Sequence, residues 1–301
     1  MKRDFLTVWD LSKEEIENII RRAIEIKSGF DTNKCPLIGK SIGLLFEKPS
    51  TRTRVSFEVG IYQLGGQSIY LNPNEIQLGR GESIADTART LSRYLNGIIL
   101  RTYSHSKIEE YASYSSIPVI NGLSDIHHPC QVLADLMTIL EKKGRLKGIK
   151  LAFIGDGNNV ANSLIEAAAR TGIDITIACP EGYEPNPDVL DRARSDALGE
   201  IIILRNPKEA AGMADIIYTD VWVSMGQEQE AEKKKRKFRD YQINNALLQC
   251  AKKDVLVFHC LPAHRGEEIS DDVIDGPKSA VFDQAENRLH TEKALLEFLI
   301  K

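Results

Sequence analysis

The stretch Phe46-Glu47-Lys48-Pro49-Ser50-Thr51-Arg52-Thr53-Arg54-Val55-Ser56-Phe57-Glu58 decides how this chain is read. It follows the apolar run Ser41 to Phe46 and precedes Val55, Val59 and Tyr62 at helical spacing, so it reads as strand, tight loop, helix. Pro49 closes the strand side, and Ser50 to Thr53 then occupy positions where the first N–H groups of a helix have no intrahelical partner. Such groups attract an anion. Three hydroxyls and two guanidiniums added to them can wrap a phosphate from several directions, with Arg52 able to bond it bidentately. The blander alternative makes Ser50 an N-cap and the arginines a solvated helix start. Five polar residues in a row after a buried-looking strand favour the anion site.

Composition narrows the class of anion. The 301 residues suit two domains of ordinary size, and a hydrophobic content of 42% is enough for real cores. A net charge of -4 and a pI near 5.9 give no general pull toward nucleic acid, so anion binding must be local and the ligand a small anionic substrate. Cys35, Cys130, Cys179, Cys250 and Cys260 are odd in number and lack Cys-x-x-Cys spacing, which argues against a zinc site or a disulfide framework. With no signal-peptide core and no apolar run long enough to span a bilayer, a soluble cytoplasmic protein without a membrane partner is expected.

Outward from the decisive stretch, residues 12–27 form an amphipathic helix, with Ser12 and Glu15 as a capping box and Ile16, Ile19, Ile20 and Ala23 on one face. Gly65-Gly66 ends the central helix, and Gln67 to Leu71 is a short strand. Asn72 to Glu82 is a polar loop containing Gln77, and Ser83 to Tyr94 is helical. Gly97 to Leu100 is a strand ending at Arg101, a cation beyond a carboxyl end, where ligands of open α/β sheets bind. After a strand at Val119-Ile120 come His127-His128-Pro129-Cys130-Gln131, with Pro129 suited to the first turn of the next helix. Adjacent histidines point different ways, so a neutral imidazole bonded to a substrate oxygen is a better reading than a metal site.

Lys142 to Lys150, charged and containing Gly144 and Gly148, marks the domain change. Leu151 to Ile154, Gly155-Asp156-Gly157-Asn158-Asn159 and a helix through Leu164 invite a dinucleotide reading, but Val160 stands at the third glycine position and no acidic residue ends the next strand, Asp174 to Ala178. Further strands at Ile201 to Leu204, Ile216 to Thr219, Val255 to Phe258 and Val281-Phe282 alternate with helices, the pattern of a second parallel, doubly wound domain. Asp220 and His259-Cys260-Leu261-Pro262 follow the ends of two of them. The basic run Lys233 to Lys237, preceded by acids, reads as an exposed, salt-bridged loop or helix.

In their order, Ser50 to Arg54, Arg101, His128-Pro129-Cys130-Gln131, Asp220 with Ser224-Met225-Gly226, and His259-Cys260-Leu261-Pro262 make the chain resemble the ornithine carbamoyltransferases over nearly its whole length. Ser-Thr-Arg-Thr-Arg and the histidine-proline piece are shared with the aspartate branch of the family. Ser-Met-Gly and His-Cys-Leu-Pro separate the two branches. The resemblance implies an α/β fold of two doubly wound domains with parallel-sheet cores, joined by interdomain helices, with the active site in the cleft. Residues 1–143 would form a carbamoyl-phosphate-binding domain, 144–285 an ornithine-binding domain, and 286–301 a terminal helix returning to the first. The implied reaction moves the carbamoyl group of carbamoyl phosphate to the δ-amino group of L-ornithine, giving citrulline and phosphate, as a step of arginine biosynthesis.

By the same resemblance carbamoyl phosphate is bound by Ser50, Thr51, Arg52, Thr53, Arg101, His128, Pro129, Cys130, Gln131, Cys260, Leu261 and Arg288, with Gln77 supplied by a neighbouring subunit. Asn159, Asp220, Ser224 and Met225 take ornithine. Arg101, His128, Cys260 and Asp220 carry catalysis, without cofactor or metal, in a homotrimer or a multiple of trimers. Carbamoyl phosphate is expected to bind first and the loop at Ser224 to Gly226 to close over ornithine. The rival readings are a nicotinamide-dependent oxidoreductase, a non-catalytic anion-binding protein, and a carbamoyltransferase for putrescine or N-acetylornithine.

Overall fold

The computed structural model describes residues 2–30, 34–223 and 231–301. They fall into two compact units, Met1–Met137 with Glu286–Lys301, and Thr138–Ala285.

Unit 1 runs α1 (Lys13–Lys27), β1 (Ser41–Phe46), α2 (Arg52–Gln63), β2 (Gln67–Leu71), α3 (Ile84–Leu91), β3 (Gly97–Arg101), α4 (His105–Tyr114), β4 (Val119–Leu123) and the start of α5 (Pro129–Lys143). Its sheet has the order β2-β1-β3-β4, all parallel. α2, α3 and α4 are crossovers between parallel strands, and β3 and β4 are buried at every position. α1 has the capping box predicted for it, Glu15 N–H donating to Ser12 Oγ and Ser12 N–H to Glu15 Oε2, and buries the expected isoleucine face. The strand order reverses direction between β1 and β3, which opens a crevice at their carboxyl ends. The Ser50 to Thr53 turn and Arg101 emerge there.

Unit 2 runs β5 (Lys150–Ile154), α6 (Asn159–Thr171), β6 (Asp174–Ala178), α7 (Pro187–Asp196), β7 (Ile201–Leu204), α8 (Pro207–Ala210), β8 (Ile216–Thr219), α9 (Ala231–Phe238), α10 (Asn245–Leu248), β9 (Leu256–His259), α11 (Asp271–Ile274) and the start of α12 (Val281–Leu299). The sheet order is β7-β6-β5-β8-β9, again all parallel, and the reversal falls between β5 and β8. Gly155 to Asn158 follow β5 and Asp220 follows β8. Two doubly wound parallel-sheet units are therefore present, as the alternation of the sequence implied.

Three local expectations fail. Val281-Phe282 is not a strand but the start of α12: the extended pairing suggested by the sequence is a single bridge between Val257 and Ser279, after which the chain turns helical. The helix expected at Val55, Val59 and Tyr62 is present as α2; that stripe is exposed, and the helix buries Thr53, Phe57, Gly60 and Ile61. The basic run is not wholly a solvated face, because Lys234 is buried. α3 is also shorter than the helix read over Ser83 to Tyr94.

Candidate active site

In unit 1 the helix start does both things the sequence allowed. Ser50 Oγ accepts the Thr53 N–H at 3.1 Å, a cap that leaves the serine hydroxyl proton for a ligand. Thr53 Oγ1 accepts from two cations, Arg101 Nη1 at 3.4 Å and Arg288 Nη2 at 3.2 Å. Arg288 is the largest fully buried side chain among the described residues and also donates to Gln131 Oε1 at 2.9 Å and to Glu292 Oε1 at 2.6 Å. Gln131 Nε2 donates to Asp135 at 2.9 Å, which fixes its amide with the oxygen toward Arg288. His128 is buried beside this group. Desolvation holds its imidazole well below the ordinary range, and the charges of Arg288, Arg101 and Arg52 reinforce the effect, so the ring is neutral. The result is a buried, cation-rich cluster with hydroxyl, imidazole and amide groups around it.

Arg54 does not join the cluster. It lies two residues from Arg52, on another side of the helix, where its Nε bonds Glu58 at 3.0 Å and its guanidinium stacks 3.6 Å from the centre of the Tyr70 ring. Cys130 turns inward, its thiol donating to the Asn121 carbonyl at 3.3 Å. Pro129 opens α5, Thr51 is exposed at the N-cap of α2, and Gln77 is exposed in a turn over Gln77–Arg80.

In unit 2, Asp220 collects the polar groups. Its Oδ2 accepts from Asn158 Nδ2 at 2.7 Å and its Oδ1 from the Cys260 thiol at 3.0 Å. Asn158 Oδ1 meanwhile caps α6 through the N–H groups of Val160 and Ala161. Asn159 is the first residue of that helix. His259 is fully buried, with Nδ1 accepting the Leu261 N–H at 2.9 Å and Nε2 facing Glu268 at 3.0 Å. Those bonds hold the turn after β9, where Leu261 adopts the uncommon φ of 58°. Ligand atoms of Asp220, His259 and Cys260 lie within 4.8 Å of one another, a spacing a metal ion can bridge. Both ring nitrogens of His259 are already engaged, however, so the set suits hydrogen bonding better than ligation. Ser224, Met225 and Gly226 lie outside the described residues.

Gly157, after β5, has a packing cause. A Cβ on Gly157 would come within 2.2 Å of the Pro185 nitrogen, so the residue is small because the backbone of another loop presses on it.

Sequence reading missed several residues. Lys48 is buried, with Nζ 4.4 Å from the centre of the Tyr103 ring; desolvation, reinforced by Arg101, lowers its pKa. Its place just before Pro49 was the available signal. Glu292 was signalled only by its i,i+4 spacing from Arg288; burial pushes its carboxyl up to about 7, against the pull of Arg288. Lys234 bonds Asp156 Oδ2 at 2.5 Å, and burial raises the pKa of that carboxyl despite the lysine. Asn158, next to the predicted Asn159, meets Asp220.

Comparison with known proteins also divides the chain in two. The family described as aspartate/ornithine carbamoyltransferase, carbamoyl-P binding domain, matches residues 3–141, and the one described as aspartate/ornithine carbamoyltransferase, Asp/Orn binding domain, matches residues 147–299. An ornithine carbamoyltransferase of Syntrophus aciditrophicus is 55% identical over 302 residues, covering 100% of both chains, and one of Thermococcus kodakarensis is 53% identical over 99% of this chain and 96% of its own. Among solved structures, the ornithine carbamoyltransferase of Pyrococcus furiosus is similar with a TM-score of 0.94 at 52% identity, covering 99% of this chain and 97% of that one. The anabolic ornithine carbamoyltransferase of Campylobacter jejuni gives a TM-score of 0.94 at 42% identity over 99% of each.

Proposed function

The chain belongs to the aspartate/ornithine carbamoyltransferase family, and from that premise we propose that it transfers the carbamoyl group of carbamoyl phosphate to the δ-amino group of L-ornithine, giving L-citrulline and phosphate. The observation that carries this reading is the double donation of Arg101 and Arg288 to Thr53 beside a neutral His128. Such a cluster, dry and cationic, suits a phosphorylated carbonyl compound.

Carbamoyl phosphate is assigned to unit 1. Ser50, Thr51, Arg52 and Thr53 hold the phosphate with helix N–H groups and guanidinium charge. Arg101, Thr53 and the neutral imidazole of His128 donate to the carbonyl oxygen, which gains negative charge as the amine attacks, so these bonds strengthen in the transition state. Gln131 Oε1 keeps a lone pair for the carbamoyl NH₂ while Arg288 holds it in place. In unit 2 the Leu261 N–H is taken by His259, so the Leu261 carbonyl is the part of that backbone left to accept. Pro129 and Cys130 contribute as the first turn of α5.

Ornithine is assigned to unit 2, with Asp220 for the α-ammonium and Asn159, Ser224 and Met225 for the rest of the head group. The amine attacks as its neutral form: the N–C bond forms, the C–O bond to phosphate breaks, and the nitrogen gives up a proton. Cys260, already bonded to Asp220, is set to assist that loss. Positioning and electrostatics supply the acceleration.

The finer assignments are a homotrimer or multiple of trimers, with Gln77 completing a neighbouring site, and a place in arginine biosynthesis in the cytoplasm. The exposed Val55, Val59 and Tyr62 stripe and the exposed position of Gln77 support the assembly. No helix among the described residues is long and apolar enough to cross a membrane. The test is citrulline formation by the purified protein with ornithine, putrescine, N-acetylornithine and aspartate offered in parallel. Strong preference for ornithine is the expected result. Turnover of another amine would overturn the reading of Asp220, and no turnover at all would favour a non-catalytic anion-binding protein.

A further inference from the structure

Unit 1 contains a cavity on the other face of the sheet from the cation cluster. Side chains alternate along a strand, so Leu100 and Leu45 point away from the face served by their neighbours Arg101 and Phe46. Both belong to the apolar cluster under α3 and α4. Above them is a cavity of about 280 Å³, also lined by Leu78, Ile84 and Tyr111. Its polar rim is formed by Glu47 and Lys107, whose carboxylate and ammonium meet at 2.8 Å.

Two features point to a ligand. The Tyr111 side chain is buried, burial pushes its phenol well above the ordinary range, and its hydroxyl has no acceptor among the described residues. A buried donor in that state is destabilising until something accepts from it. Tyr111 also stands one turn after Lys107 on α4, so the two donors lie on one face of the helix and can serve one acceptor group. The rim carries one positive and one negative group, and therefore favours neither a net anion nor a net cation. The volume falls just below the roughly 300–1,000 Å³ of pockets for drug-sized ligands, which suits a molecule of amino-acid size.

We propose that this cavity binds a small aliphatic α-amino acid as its zwitterion, in a site separate from the one that takes ornithine. The branched chain lies among Leu45, Leu78, Ile84 and Leu100. The carboxylate accepts from Lys107 and Tyr111, and the ammonium donates to Glu47, so the ligand replaces one ion pair by two. Leu78 belongs to the turn that begins at Gln77. An occupant seated against Leu78 fixes that turn and thereby changes the KM for carbamoyl phosphate, a consequence that rests on the role proposed for Gln77 above.

The test is calorimetric titration of the whole protein with L-leucine, with citrulline and phosphate held at saturation so that the products fill the substrate sites. Two analogues, 4-methylpentanoate and 3-methylbutylamine, each lack one charge. The proposal expects leucine to bind under these conditions and each analogue to bind at least about 10-fold more weakly. Tyr111→Phe, which removes only the hydroxyl, should weaken leucine about 3- to 10-fold. Leu78→Trp and Ile84→Trp, at half-buried positions, should fill the cavity and abolish binding. Silence in the wild-type titration, displacement of leucine by citrulline with phosphate, or full binding in a folded tryptophan variant would overturn it. Binding is read without turnover, so it stands or falls apart from the reaction proposed above. The coupling to Gln77 is read separately, as a change in the carbamoyl-phosphate KM on adding leucine.

Discussion

Arg288 Nη1 donates to Gln131 Oε1 at 2.9 Å, joining residues 157 apart in the sequence inside one buried cluster. The same guanidinium reaches Thr53 and is balanced by Glu292, so a residue near the end of the chain completes the group that begins at Ser50. That arrangement separates stability from substrate binding in mutants.

Arg288→Leu leaves the Glu292 carboxylate buried without its partner and should cost about 3–5 kcal/mol of stability. The double variant Arg288→Leu/Glu292→Leu removes both charges and should regain most of that loss in chemical denaturation. Its carbamoyl-phosphate KM should stay raised by about 10-fold or more, because the bonds to Thr53 and Gln131 are still missing. A double variant with normal carbamoyl-phosphate kinetics would show that Arg288 is only structural.

Asp220→Asn should raise the KM for ornithine by about 10- to 100-fold and lower kcat, since a charged hydrogen bond to the α-ammonium is lost. Carbamoyl-phosphate binding should be nearly unchanged. Equal collapse of both affinities in initial-velocity measurements would mean that Asp220 holds the fold and not the amine.

Lys234 and Asp156 make a buried pair, and Asp156 sits in the turn that carries Asn158 to Asp220. Lys234→Met should destabilise the protein by about 3 kcal/mol and raise the ornithine KM, while Lys234→Arg keeps the charge and restores most of both. The carbamoyl-phosphate KM is the internal control. If it rises in parallel with the ornithine KM, the pair does not act through Asp220.

The neutral state of His128 has a pH signature. Above about pH 6.5 neither the folded nor the unfolded protein carries a proton on this ring; below it the unfolded chain takes one that the buried ring refuses. Stability should therefore fall with acidification, by up to about 1.4 kcal/mol per pH unit from this residue. His127, pushed down to about 3 by burial and then by His105, acts in the same direction. Glu292, raised to about 7, acts in the opposite one, since its folded form gains a proton first as pH falls. Comparison of wild type with His128→Asn isolates the term: the slope of unfolding free energy between pH 6.5 and pH 5 should be shallower in the variant. Equal slopes, or a His128 resonance titrating near 6.5 by NMR, would contradict a neutral buried imidazole.

What could be read along the chain was whatever depends on neighbours in sequence. The capping box at Ser12, the strand, turn and helix around Ser50, the strand ends at Arg101 and Asp220, and the alternation of strands and helices are set by spacings of a few residues, so periodicity and turn chemistry were enough to find them. The Val281-Phe282 reading failed because two apolar residues in a row serve a strand or a helix start equally well, and only the lack of a continuing strand partner decided between them. Val55, Val59 and Tyr62 were legible as a helical stripe, but whether a stripe faces the core or solvent depends on what packs against the helix. The rest was decided in three dimensions. Long-range pairing joins Arg288 to Thr53 and Gln131, sets Lys234 against Asp156, and brings Asn158 and Cys260 to the two oxygens of Asp220. Burial then fixes the charge states, neutral at His128 and balanced at Arg288, because the free energy of a charge depends on how much water the surrounding fold removes from it. Sequence spacing names the groups that can carry a charge; packing sets whether they do.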